Sequence, residues 1–155
     1  MTVVTWKAIH LAGMLLFLGN IILTAFWKTL ADRSSNLVLI RFGVRVANLA
    51  DIFFTLPGAI MLAAAGHFMA PSYGGLLHTG WMFWGLVLFI GAGALWLMVL
   101  IPLQLAQARS LRSLRDGDAI PTRYRKLARA WAMAGMLATL LPLIAAVLMV
   151  IKPQL

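Results

Sequence analysis

Four apolar stretches, each about as long as a bilayer is thick, constrain this chain more than any other feature. They run from about Trp6 to Trp27, Ala47 to Ala70, Trp81 to Leu105 and Ala130 to Ile151. A bilayer core about 30 Å thick takes about 20 helical residues to cross. Within lipid each backbone polar group needs a partner inside the structure, which leaves helices and closed barrels. No strand-like alternation occurs in the chain. The expected fold is therefore all-α: a single integral membrane domain over residues 1–155, built as an up-down bundle of four transmembrane helices. Composition agrees, at 63% hydrophobic and 11% charged residues, where soluble domains are roughly half apolar and a quarter charged. The first stretch, from about Val3, is too long for the apolar core of a signal peptide and lacks a small-residue cleavage site. Cleavage is not expected.

The connecting segments set an orientation. Eleven of the thirteen basic residues fall between the first and second or the third and fourth stretches. Lys7 and Lys152 flank the termini, and the turn "APSYGG" (70–75) with its surroundings has no basic residue. The positive-inside rule makes the basic side cytoplasmic. Both termini are then expected on the outer, periplasmic side of a bacterial inner membrane. Trp6, Tyr73, Trp81 and Trp84 are expected in the outer aromatic belt, and Trp27 and Trp131 in the inner one. The basic loop "RSLRSLRDGDAIPTRYRKLAR" (109–129) is read as a lipid-attracted cytoplasmic loop, with no nucleic-acid partner. Residues 36–46, with Arg41 and Arg45 four apart, read as an interfacial lead-in to the second span.

Polar groups inside a span are expensive and therefore informative. His10 sits about one turn into the first span and His67 about one turn before the outer end of the second, at a similar depth. His78 precedes the third span. Gly13 lies three residues after His10, and Ala59, Ala63 and His67 form a stripe four residues apart, with Gly66 beside it. Such small residues allow close helix approach, or leave room for a flat ligand. His10 then reads as an axial ligand to haem iron with His67, or less favourably His78, opposite. An interfacial imidazole bonded to a carbonyl or headgroup satisfies the same facts. The chain has no Cys, which removes thiolate chemistry and covalent haem attachment. The spacing of the histidines matches no standard zinc motif.

Nearer the cytoplasmic end, Asn48 and Asp51 lie three residues apart in the second span. A carboxylate there requires a partner, and Lys28, Arg45 and Arg129 are the candidates at that end. The pair reads as a structural contact or as a proton site. Asn20 and Thr24 could extend a polar line from Asp51 toward His10. Hydrolase, kinase and nucleotide-binding signatures are absent.

Four segments carry a family resemblance: "WKAIHLAGMLLFLGNIILTAFWKTLADR" (6–33), "NLADIFFTLPGAIML" (48–62), "WGLVLFIGAGALWLMVLIPLQ" (84–104), and "YRKLARAWAMAG" with "LMVIKP" (124–135, 148–153). Together they resemble a bacterial family of four-helix integral membrane proteins, the domain-of-unknown-function family 2269. The family pattern includes residues matching His10, Asp51, Pro57 and Lys152–Pro153. "WKAIHLAG" is also distantly similar to the first helix of HemJ-type protoporphyrinogen oxidases and of CopD-type copper-resistance membrane proteins. The HemJ resemblance implies b-type haem at His10. Against that family's later Trp-x-x-Lys motif, "WMFW" (81–84) places Trp84 at the lysine position, which argues against porphyrinogen oxidation without bearing on haem binding. The leading expectation is a haem b protein for electron transfer or porphyrin-linked redox chemistry, in contact with the lipid bilayer and able to pair as a homodimer through its small residues. A non-enzymatic accessory or assembly subunit, or a solute- or metal-handling protein, is the alternative.

Overall fold

The computed structural model describes residues 2–154. Four helices account for almost all of them: α1 (Val3–Arg33), α2 (Leu37–Tyr73), α3 (Gly80–Leu111) and α4 (Thr122–Ile151). Each is long and apolar enough to cross a membrane. Among the described residues there is no strand. Helix α1 packs along α2 and α3 along α4, and α1 also touches α4. Lys7 and Lys152 line one hollow, so the two termini share an end of the bundle, opposite the basic connections.

The burial pattern is that of a protein whose solvent is lipid. Phe26, Ile52, Phe53, Ile90, Met98 and Val150 lie on the outside, while Asn20, Thr24, Lys28, Asp51, Thr55, Gln104 and Gln107 are buried. With no water outside, apolar groups gain nothing by turning inward, whereas polar groups gain partners there.

The helices extend beyond the apolar stretches at the basic end. The lead-in to the second span is helical and continuous with it: residues 37–46 are the first turns of α2. Asn36 caps them, its side chain accepting from the backbone N–H groups of Val38 (2.9 Å) and Leu39 (3.2 Å). Leu37, Ile40 and Val44 pack with Leu111 and Tyr124 into a small core. Arg41 donates to the carbonyls of Leu111 (2.9 Å), the last residue of α3, and of Leu114 just beyond it. The first basic connection shrinks to a few residues because nothing in the sequence halts α1 before Arg33.

Both central helices widen to a π-helical turn, Asp51–Thr55 in α2 and Trp96–Leu100 in α3. Each is followed two residues later by a proline, Pro57 or Pro102. A proline inside a helix offers no N–H and crowds the carbonyl four residues before it. Widening the preceding turn relieves both problems without ending the helix.

Candidate functional site

The contact between α1 and α2 is set by glycine. A Cβ on Gly58 would lie 2.7 Å from the Phe17 nitrogen and 2.9 Å from the Gly13 carbonyl oxygen. One on Gly13 would lie 2.8 Å from Met61 Cβ. Gly13 is therefore used for helix contact, and it does not line the cavity beside His10. The face of α2 that meets α1 is Gly58, Leu62 and Gly66, one register away from the Ala59, Ala63, His67 stripe.

One and two turns along, this contact positions His10. Its Nδ1 lies 3.1 Å from the Leu62 carbonyl oxygen, and its Cε1 would be 3.5 Å from a Cβ on Gly66. A carbonyl only accepts, so in the neutral imidazole Nδ1 carries the proton and Nε2 keeps the lone pair. Ligating histidines are commonly oriented by this bond.

His10 and His67 line one cavity of about 260 Å³. Its walls are apolar and come from all four helices, with Met14, Phe17, Met82, Phe89 and Met149 among them. It adjoins a hollow of about 570 Å³ toward the terminal end, also lined by His10 and Met82. Lys7 and Lys152 stand on that hollow, and the Lys152 ammonium lies over the rings of Tyr73 (4.9 Å) and Trp81 (5.5 Å). His67 is exposed, edge-on to Phe68. His78 is exposed and borders neither hollow.

Those residues fit a b-type haem in their donor chemistry. The cavity walls are apolar, an oriented imidazole offers a lone pair, and two lysines stand where they would suit two carboxylates. No group of three or more His, Cys, Asp or Glu side chains able to hold a bare metal ion occurs among the described residues.

Asp51 belongs to a different level of the bundle, and its partners are not cations. The Thr55 hydroxyl donates to its Oδ1 and the Gln104 amide to its Oδ2, each at 2.8 Å. Asn20 donates to Thr55 (2.8 Å) and accepts from Thr24 (3.2 Å). All five side chains are buried. The polar line thus exists from Thr24 to Asp51, but it does not continue to His10. Phe17, Gly13 and Gly58 occupy the intervening level. Lys28 is engaged elsewhere: it donates to Asp32 (2.7 Å) and Tyr124 (3.4 Å) and lies 4.9 Å over the Trp131 ring. Trp131 is consequently buried rather than in a belt, whereas Trp27 and Trp84 are exposed. Asn48 does not join Asp51. It lines a groove with Arg41, Arg45 and Arg112, and its side-chain oxygen has no partner among the described residues.

Thr55 and Gln104 are the network members that sequence reasoning passed over. Thr55 stands four residues after Asp51, one helical turn away. Gln104, a polar residue in an apolar span, carried the same signal as Asn20.

Lipid-facing apolar surfaces, buried polar side chains and four membrane-length helices together define a multi-pass α-helical integral membrane protein. The chain belongs to the family described as "Predicted integral membrane protein (DUF2269)", whose pattern matches residues 4–153. No curated protein and no solved structure matches it.

Proposed function

We propose that this protein binds haem b in the half of the bundle nearest its termini, on the periplasmic side of a bacterial inner membrane, for electron transfer or porphyrin-linked redox chemistry. The carrying observation is the His10 imidazole, held through Nδ1 to the Leu62 carbonyl on the wall of an apolar cavity. In this reading His10 would hold the iron through its free Nε2. His67, on the same cavity, is the weaker candidate for a second ligand. Lys7 and Lys152 would bind the propionates, and the apolar walls keep water from the ring. A bound haem would supply a one-electron couple tuned by these ligands and by burial. A second copy packed against the lipid-facing side belongs to the same reading.

The same hydrogen bond also supports a second reading. It satisfies one nitrogen of a purely structural imidazole, as an accessory subunit or a solute- or metal-handling protein without haem would need. Absorption spectroscopy separates the two. Protein purified from haem-replete cells should show a Soret band that shifts on reduction and disappears in His10→Ala. A colourless but folded protein refutes the haem reading. His67→Ala should alter the spectrum only if His67 is the second ligand.

A further inference from the structure

We infer that the basic end carries a binding site for a single phosphate-bearing lipid. A hollow of about 560 Å³ lies there between α1, the start of α2 and α4. Arg33 enters it from α1, and Arg125 and Arg129 from α4. The latter two are four residues apart and so share a helix face. None of the three forms an ion pair among the described residues. Asp32 also borders the hollow, but both of its oxygens are taken, one by Lys28 and the other by the Tyr124 hydroxyl. The open valence of the hollow is therefore cationic.

Its shape identifies the class of anion. Thr29, Trp131 and Ala132 also line a second hollow of about 560 Å³. That one runs toward the middle of the bundle between α1, α3 and α4, past Ile21, Ile22, Leu140 and Leu143. A free phosphate would use only the first hollow and a neutral hydrocarbon only the second. A molecule with an anionic head and an acyl chain uses both. Basic pockets between membrane helices recognise lipid headgroups by this combination.

The test uses the full chain in maltoside detergent, with native mass spectrometry and thermal melting as readouts. The probes are phosphatidylglycerol, phosphatidylcholine and sodium phosphate. One phosphatidylglycerol should be retained per chain and should raise the melting temperature, with phosphatidylcholine and phosphate well below it. Arg125→Gln and Arg129→Gln should each weaken retention about fivefold, the ratio corresponding to one basic contact. Arg123→Gln and Arg112→Gln, outside the hollow, should not. Ala132→Trp keeps every arginine but fills the junction between the hollows, and it should also expel the lipid. Equal retention of both lipids, or equal losses from the outside arginines, would mean diffuse surface charge and overturn the proposal. Saturation by phosphate alone would overturn its lipid part.

Discussion

Adding one methyl group at Gly58 should unsettle both the helix contact and His10. The new Cβ would stand 2.7 Å from the Phe17 nitrogen, 2.9 Å from the Gly13 carbonyl oxygen and 3.1 Å from Leu16 Cβ. Ordinary contact begins at 3.4 Å, so the deficit is 3.4 − 2.7, about 0.7 Å. Two of the obstructing atoms are backbone, which no rotamer change can move. The helices must part, and overpacking of this kind costs typically 1–3 kcal/mol. Gly19→Ala and Gly93→Ala are the controls, since nothing lies within 4 Å of their added Cβ. In a helix interior they should gain up to about 1 kcal/mol from propensity alone.

Thermal melting in detergent then reads the clash as a difference. At about 2–4 °C per kcal/mol for a chain of this size, Gly58→Ala should melt roughly 3–10 °C below Gly19→Ala. The separation should also reach His10. Leu62 is one turn from Gly58, and its carbonyl lies 3.1 Å from Nδ1. A further 0.7 Å or so exceeds the range of an N–H···O bond. Nitrogen-15 NMR of labelled histidine should therefore show the Nδ1 proton of His10 exchanging faster in Gly58→Ala. If Gly58→Ala melts with the controls, the glycine contact is not what joins these helices. A lower melting temperature with an unchanged His10 signal would show that the contact does not position the imidazole.

The two buried polar centres make separate predictions. Asp51→Leu should orphan the Gln104 amide and the Thr55 hydroxyl, at roughly 1–3 kcal/mol for each group left unpaired. Asp51→Asn, which preserves shape and lets Gln104 turn its amide over, should lose far less, and equal melting of the two variants would discount the network. Lys28→Met leaves Asp32 with Tyr124 alone and should cost about 3 kcal/mol, the low end for breaking a buried pair, because Asp32 keeps 23% exposure. Lys28→Met with Asp32→Asn should recover much of that loss; a double variant no more stable than the single one would assign the cost to packing around Trp131 instead.

The spans were legible because hydropathy over 20 residues is a property of sequence alone. Their true lengths were not. Asn36 is a good helix cap followed by an apolar run, but a bilayer-length ruler stops α2 short and overlooks the turns that pack outside it. The shared cavity of His10 and His67 was legible from depth, since two antiparallel helices bring equal depths together. Which glycines touch was not, because Gly13, Gly58 and Gly66 differ from neighbouring alanines only in helix rotation. For Asp51, counting nearby cations pointed to Lys28, Arg45 and Arg129. The local pairing of Lys28 with Asp32, four residues on, was visible in the sequence and takes precedence. Gln104 could be paired with Asp51 only once α3 was placed beside α2. Trp131 shows the same limit: an aromatic near a helix end is assigned to a belt by position, and only the packing shows that it faces inward over Lys28.

The distance between the polar levels bears on what each can do. Asn20 is ten residues beyond His10 in α1, about 15 Å along the axis at 1.5 Å per residue. Across that gap Phe17 is buried, with the ring of Phe89 5.9 Å away, and the Gly13–Gly58 contact closes the space between the helices. No side chain there can relay a proton. A group held at His10 would therefore exchange protons with the terminal end, through the hollow bordered by Lys7 and Lys152. The Asp51 network has its own groove, shared with Thr24 and Gln104 between α1, α3 and α4. This is the groove that continues into the arginine hollow at the basic end through Thr29 and Trp131. An acyl chain seated in it would lie against the polar network, while remaining a full bundle level away from His10. Any group held at His10 and any lipid bound at the basic end would thus be separable by construction, and a variant in one should leave the other intact.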